Sequence, residues 1–112
     1  PAAGAALAKV LASLPPRDTY LICGMLSTKD VEGYLRPLAD PVISLRAIAI
    51  PGETATLPPE ATAAAAGRVG LPSQVSDSLN EALADILSEA PSARILIAGS
   101  LYLAGAVLRE NG

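Results

Sequence analysis

The chain has 112 residues, of which 51% are hydrophobic and 17% charged, a balance that suits one folded domain and excludes a disordered tail. A net charge of −3, scattered basic residues and only 3% aromatic residues give nucleic-acid binding no support. Apolar stretches are too short or too interrupted to span a bilayer, and the alanine-rich start lacks the pattern of a signal peptide. A single cysteine, Cys23, excludes an internal disulfide, so we expect a protein of the cytoplasm.

The first predicted element is an amphipathic helix that ends at Pro15-Pro16. Its apolar residues follow the i, i+3, i+4, i+7 spacing: Leu7, Val10, Leu11 and Leu14. The short apolar run from Tyr20 to Cys23 stops at Gly24, and such a run is typical of a strand covered on both faces.

A polar turn from Ser27 to Asp30 opens the second predicted helix. Ser27 and Asp30 have the spacing of a capping box, and the apolar face follows at Val31, Leu35 and Leu38. The segment from Ile43 to Ile50 is predicted to be the second strand, closed by Pro51-Gly52.

The third predicted helix is rich in alanine, begins at Pro58-Pro59-Glu60 and ends at Gly70. Gln74-Val75 is too short to be more than a strand fragment. Ser76 is the expected N-cap of the fourth helix. That helix carries the clearest apolar stripe of the sequence: Leu79, Ala82, Leu83, Ile86 and Leu87.

The chain closes with a strand from Arg94 to Ala98, a turn at Gly99-Ser100 and a helix from Leu101 to Arg109. Helices and short apolar strands therefore alternate, which predicts an α/β, Rossmann-like fold: a mostly parallel sheet with helices on both faces. The helix at residue 2 has no strand before it. Either the fold begins with a helix or its first strand is missing, and we favour the second.

Two strand-to-helix turns have the chemistry of an anion site. Each contains a glycine, at Gly24 and Gly99, and each is expected to present free N–H groups at a helix N-terminus. Lys29 adds a positive charge to the first turn. Each feature also has an ordinary structural explanation, since glycine and serine end many strands and most lysines are solvated.

The residue types and motifs that the sequence lacks limit the possible chemistry further. Without histidine there is no imidazole base, and one cysteine cannot form a zinc cluster. No second glycine precedes Lys29 as a P-loop requires, and no dinucleotide fingerprint occurs. Cys23 is expected to be buried and inert, with Tyr34 and Tyr102 partly buried. A complete active site is therefore not expected in this chain.

Two segments resemble bacterial folylpolyglutamate synthases and dihydrofolate synthases. Residues 24–33, GMLSTKDVEG, are similar to the family's Gly-Met-Leu-x-Asp-Lys-Asp-x-x-Gly stretch. Residues 98–108, AGSLYLAGAVL, are similar to its C-terminal Gly-Ser-Leu-Tyr-Leu-x-Gly-x-Val-Leu signature. The segment at Pro58-Pro59-Glu60 also fits, so the resemblance covers essentially the whole chain.

The resemblance implies a C-terminal domain of the Mur ligase type, comprising residues 1–112 of this chain and cut from a longer enzyme. Such enzymes join glutamate to dihydropteroate or to folate polyglutamates through an acyl phosphate. ATP and Mg would be bound mainly by an absent central domain carrying the P-loop, and the fragment alone is expected to be inactive. The family's first strand leads into an Asp-Gly-Ala-His-Asn-Pro segment, whose last residue would be Pro1 here.

The resemblance also implies which residues of this chain line the binding cleft. Lys29, Asp30, Gly99 and Ser100 are the candidates for lining the cleft for glutamate and nucleotide. The sequence departs from the family pattern at Thr28, where Asp is frequent, and at Ala106, where Glu is common; the first departure weakens a specific role for that loop. The expected partners are the central domain of the same polypeptide, glutamate and folate, with no nucleic acid and no membrane.

Two alternatives stay open. One is a free-standing Rossmann-like module that binds an anion or acts as a scaffold. The other is the C-terminal domain of a peptidoglycan-building Mur ligase, which shares the architecture; the Gly-Ser-Leu-Tyr segment favours the folate branch.

Overall fold

The computed structural model describes residues 2–26, 30–50 and 56–99, without the side chains of residues 2, 3 and 99. Its centre is a sheet of four strands in the order β3-β2-β1-β4. The strands are β1 (Thr19–Gly24), β2 (Ser44–Ala47), β3 (Ser73–Val75) and β4 (Arg94–Gly99). Every neighbouring pair is parallel, as the sequence predicts.

Among the described residues, four α-helices cover this sheet: α1 (Ala2–Ser13), α2 (Val31–Leu35), α3 (Pro59–Arg68) and α4 (Leu79–Glu89). The chain leaves α2 through a short 3₁₀ helix, Arg36–Leu38. The first three helices pack on one side of the sheet, here called the first face, together with Leu21, Cys23 and Leu45. α4 packs on the opposite, second face, against Tyr20 and Ile22. The prediction of helices on both faces is confirmed.

The central strand β1 explains why its sequence is apolar without alternation. All six of its residues are buried, and its side chains point in turn toward the two helical layers. A strand covered on both faces has no position at which a charged side chain reaches water.

Several boundaries differ from the prediction. β2 ends at Ala47, three residues before the predicted Ile50. The N-cap of α4 is Ser78, whose side chain accepts a hydrogen bond from the amide of Glu81, so the prediction of Ser76 is wrong. α2 begins after Asp30, whose carboxylate caps it by accepting from the amide of Gly33 at 3.1 Å.

Parts of the predicted apolar stripes face solvent. Val10 on α1 is 53% exposed and Leu14, just after the end of α1, is 41% exposed, while Leu11 is buried. On α4, Leu87 is 46% exposed, whereas Leu79, Ala82 and Ile86 are buried. The buried stripe of each helix is therefore narrower than its sequence suggests.

The end of α3 follows the prediction. Gly70 has a φ of +84°, a left-handed conformation that favours glycine. The amide of Leu71 donates to the carbonyl of Ala66 and that of Gly70 to the carbonyl of Gly67, the two bonds of a Schellman motif. Among the described helices, none is long and apolar enough to cross a membrane.

Candidate functional site

The two glycine-bearing turns begin side by side on the sheet. Gly24 and Gly99 end β1 and β4, and they are direct partners in the parallel register of these strands. Both turns therefore start at the carboxyl edge of the sheet, where ligands of open parallel sheets bind. Strand order brings together the starts of two motifs whose first glycines, Gly24 and Gly99, are 75 positions apart in the sequence.

Of the four predicted cleft residues, the structure describes Asp30 and the backbone of Gly99. Lys29 and Ser100 lie outside the described residues, as does the predicted helix from Leu101 to Arg109 with Tyr102. Asp30 has a structural role, because its carboxylate is the N-cap of α2. A role for these four residues in ligand binding stays a prediction.

Short contacts join the segments that follow β1 and β2. Leu26 and Thr56 form an isolated antiparallel bridge, and the amide of Leu57 donates to the carbonyl of Met25 at 2.8 Å. The hydroxyl of Thr56 also accepts a hydrogen bond from the amide of Ile50 at 3.0 Å. We call these contacts the rim clasp. The clasp therefore joins the chain just after β1 to the segment that begins at Thr56.

A groove of about 250 Å³ lies beside the rim clasp, between α2 and α3. Its floor is apolar, and its polar border is formed by Asp30, Glu32 and Arg68. The guanidinium of Arg68 is already paired with the carboxylate of Glu32 at 2.6 Å. This cation is therefore neutralised within the domain.

A buried arginine was missed by the sequence analysis. Arg46 lies in the middle of β2, is 3% exposed, and faces α4. Its guanidinium pairs with Glu89 at 3.2 Å and Asp85 at 3.5 Å, and it donates to the hydroxyl of Ser44 at 2.7 Å. An arginine inside an apolar strand is itself a signal of an acidic partner, because a buried charge must be paired. Since both carboxylates belong to α4, the ion pairs of Arg46 link that helix to strand β2 of the sheet.

The prediction that Cys23 is buried and inert is supported by its environment. Its side chain is fully buried in β1, and burial raises the pKa of its thiol from the usual 9.0 to about 12. Because the thiolate is the reactive form, the folded protein holds this group as an unreactive thiol at neutral pH.

This pKa shift predicts a dependence of stability on pH. Above pH 9 the thiol ionises in the unfolded chain and not in the folded one, so the free energy of unfolding should fall as the pH rises from about 9 toward 12. Urea unfolding between pH 8 and 10.5 tests this against Cys23→Ala, which retains every other titrating group. The same pH slope in both proteins would contradict the shift.

Within the described residues, no group of three histidine, cysteine or acidic side chains is arranged to hold a metal ion. A depression of about 170 Å³ near the start of α4 is lined by Asp77, Glu81 and Asp85. Its charge is unfavourable for an anionic ligand such as a nucleotide or glutamate.

The chain matches known structures of folate ligases. It is 30% identical to the Mycobacterium tuberculosis folylpolyglutamate synthase in crystals with ADP and AMPPCP, with a TM-score of 0.81 over 97% of this chain and 27% of that one. Escherichia coli FolC in complex with DHPP and ADP matches at 19% identity and a TM-score of 0.78, over 96% of this chain and 25% of that one. The bifunctional folylpolyglutamate synthase/dihydrofolate synthase of Yersinia pestis matches at 16% identity and a TM-score of 0.73, over 97% and 26%.

The last two similarities, at low identity, concern the fold alone. No protein-family model matches the chain, and no curated protein matches its sequence. The chain spans about a quarter of the length of the folate ligases that it matches. The resemblance carried by the two glycine-bearing motifs is confirmed: over nearly its whole length, this chain is similar in sequence and fold to about a quarter of the Mycobacterium tuberculosis folylpolyglutamate synthase.

Proposed function

We propose that this chain is the C-terminal domain of an ATP-dependent ligase that joins glutamate to dihydropteroate or to folate polyglutamates. The observation that carries the proposal is the register pairing of Gly24 with Gly99 in a chain of this fold. It brings the starts of both family-like motifs to one edge of the sheet. The similarity to a folylpolyglutamate synthase crystallised with ADP and AMPPCP supports a nucleotide as one substrate.

In this proposal the domain forms one wall of a cleft that closes against a central domain of the same polypeptide. As the resemblance to the folate ligases implies, ATP and Mg would be bound mainly by that central domain. Arg68, in the groove beside the rim clasp, is already paired with Glu32. The contribution of this chain is electrostatic. Amide groups of the two turns and the Lys29 ammonium would stabilise the negative charge of glutamate or nucleotide as the cleft closes.

The proposal predicts a specific role for Lys29, to be tested in the full-length ligase. Replacing Lys29 by methionine should lower kcat/KM for glutamate by about tenfold, equivalent to about 1.4 kcal/mol of lost charge stabilisation. Lys9 provides the matched control, since it is an exposed lysine on α1. Lys9→Met should leave kcat/KM within about twofold of the unsubstituted enzyme.

Equal effects of the two substitutions would overturn the assignment of Lys29 to the cleft. The wider proposal has a separate test in the gene sequence upstream of Pro1. A P-loop about 250 to 300 residues upstream of Pro1 is expected from the usual size of two further domains. Its absence would remove the ligase proposal altogether.

A further inference from the structure

The order of the strands reverses at β1. From β1 the chain moves to β2 and β3 on one side, and it then returns to β4 on the other side. In open parallel sheets, ligands bind outside the carboxyl ends of the strands at such a switch point. The crevice expected from this rule lies between the ends of β1 and β4, at the paired residues Gly24 and Gly99. The end of β1 is therefore one border of the crevice.

On its other side, toward β2, the end of β1 is held by direct contacts. Pairing with β1 continues one residue past the end of β2, because the amide of Ile48 donates to the carbonyl of Cys23 at 3.0 Å. The rim clasp follows, and it joins Met25 and Leu26 to the segment that begins at Thr56. The chain that leaves β1 is thus fastened on the side away from β4.

The hydroxyl of Thr56 connects the chain that leaves β2 to this clasp. It accepts a hydrogen bond from the amide of Ile50 at 3.0 Å and donates to the carbonyl of Leu57 at 3.3 Å. Ile50 is 2% exposed, so its amide is shielded from water and needs an acceptor within the protein. The acceptor is this hydroxyl, and the same residue forms the backbone bridge to Leu26.

We infer that Thr56 is a positioning residue of the proposed cleft. Its hydroxyl holds the end of β1 on the β2 side, so that the crevice between β1 and β4 keeps its width. Thr56 does not touch the ligand and acts through Met25 and Leu26, which follow Gly24 in the first family-like motif. The inference deepens the proposed function and rests on it, since the ligand of this crevice is the glutamate or the nucleotide of the ligase.

Two substitutions separate the hydroxyl of Thr56 from its shape. Valine has the same β-branched shape and lacks the acceptor, so Thr56→Val removes the hydrogen bond from Ile50 and keeps the backbone bridge to Leu26. Serine keeps the acceptor and loses only a methyl group. A role that depends on the hydroxyl is therefore lost in the first variant and restored in the second.

Steady-state kinetics of the full-length ligase tests the inference. In Thr56→Val, KM for at least one of the two anionic substrates, glutamate and ATP, should rise about fivefold, the effect of one neutral hydrogen bond, while kcat changes less than about twofold. Thr56→Ser should bring KM back to within about twofold of the unsubstituted enzyme. Loss of stability alone would lower kcat through the fraction of folded enzyme and would leave both KM values unchanged.

Thr19 provides the matched control at the opposite end of β1. It is 2% exposed, and its hydroxyl donates to the carbonyl of Arg17 at 3.1 Å. Thr19→Val removes a hydroxyl hydrogen bond from the amino end of β1, away from the crevice, so both KM values should stay within about twofold of the unsubstituted enzyme. An equal rise of KM in Thr19→Val and Thr56→Val would contradict the inference.

Unchanged KM values in Thr56→Val would also overturn the inference, as would a raised KM that Thr56→Ser does not restore. Lys29→Met in the same assay separates this inference from the proposed function. If Lys29→Met lowers kcat/KM and Thr56→Val has no effect, the inference is wrong and the proposed cleft stands. If neither substitution has an effect, the cleft at this edge of the sheet is wrong, and the inference fails with it.

Discussion

Replacing Gly4 by alanine is expected to destabilise the 112-residue chain by about 3 kcal/mol, the upper part of the range for overpacked positions. Gly4 lies in the first turns of α1, and a Cβ there would overlap the backbone carbonyl of Tyr34. A backbone carbonyl cannot rotate away as a flexible side chain can. α1 would therefore have to move away from α2, which would loosen the packing of Leu11 on the first face.

Gly67 provides the control for this experiment. It lies in α3, and a Cβ there would meet nothing within 4 Å. Alanine is a better helix former than glycine, so Gly67→Ala should stabilise the chain by about 0.5–1 kcal/mol. Urea unfolding measures both changes. If the two substitutions shift the free energy of unfolding in the same direction, the close approach of α1 to α2 is wrong.

Replacing Ile86 by alanine is expected to cost about 3 to 4 kcal/mol. Ile86 is fully buried on α4 and belongs to the core of the second face with Tyr20 and Ile22. That face is covered by one helix among the described elements, and the first by three. The cavity left by the lost side chain thus has few neighbouring groups that can move to fill it.

Leu87 is the matched control, being the next residue of the same helix. Its side chain is 46% exposed, so Leu87→Ala should cost less than about 1 kcal/mol. The comparison needs only the difference between the two free energies of unfolding. Similar losses would mean that α4 is rotated about its axis relative to the described packing.

The error at the start of α4 shows why local patterns mislocate helix ends. Ser76 and Ser78 are equally good N-caps by residue type. The structure selects Ser78 because the amide of Ser76 donates to the carbonyl of Ala47 at 2.9 Å, which extends the pairing of β3 with β2. A hydrogen bond to a residue twenty-nine positions away is invisible to any local cap rule.

The exposed residues of the helical stripes have a similar cause. Val10, Leu14 and Leu87 satisfy the helical period, yet the sheet reaches only part of each stripe. Periodicity reports which residues share a side of a helix, and the width of the partner surface decides how many of them are buried. Arg46 shows the reverse case, in which a charged residue is buried because α4 brings two carboxylates to it.

Short-range patterns were sufficient for the fold class, the alternation of helices with strands, and the strand ends at Gly24 and Gly99, because periodicity, prolines and caps act within a few residues. They were not sufficient for the order of the strands. β4 lies beside β1 because the chain crosses the second face and returns past β2, a result of packing between distant segments. Only that return makes Gly24 and Gly99 partners and brings the starts of two separate motifs to a common edge.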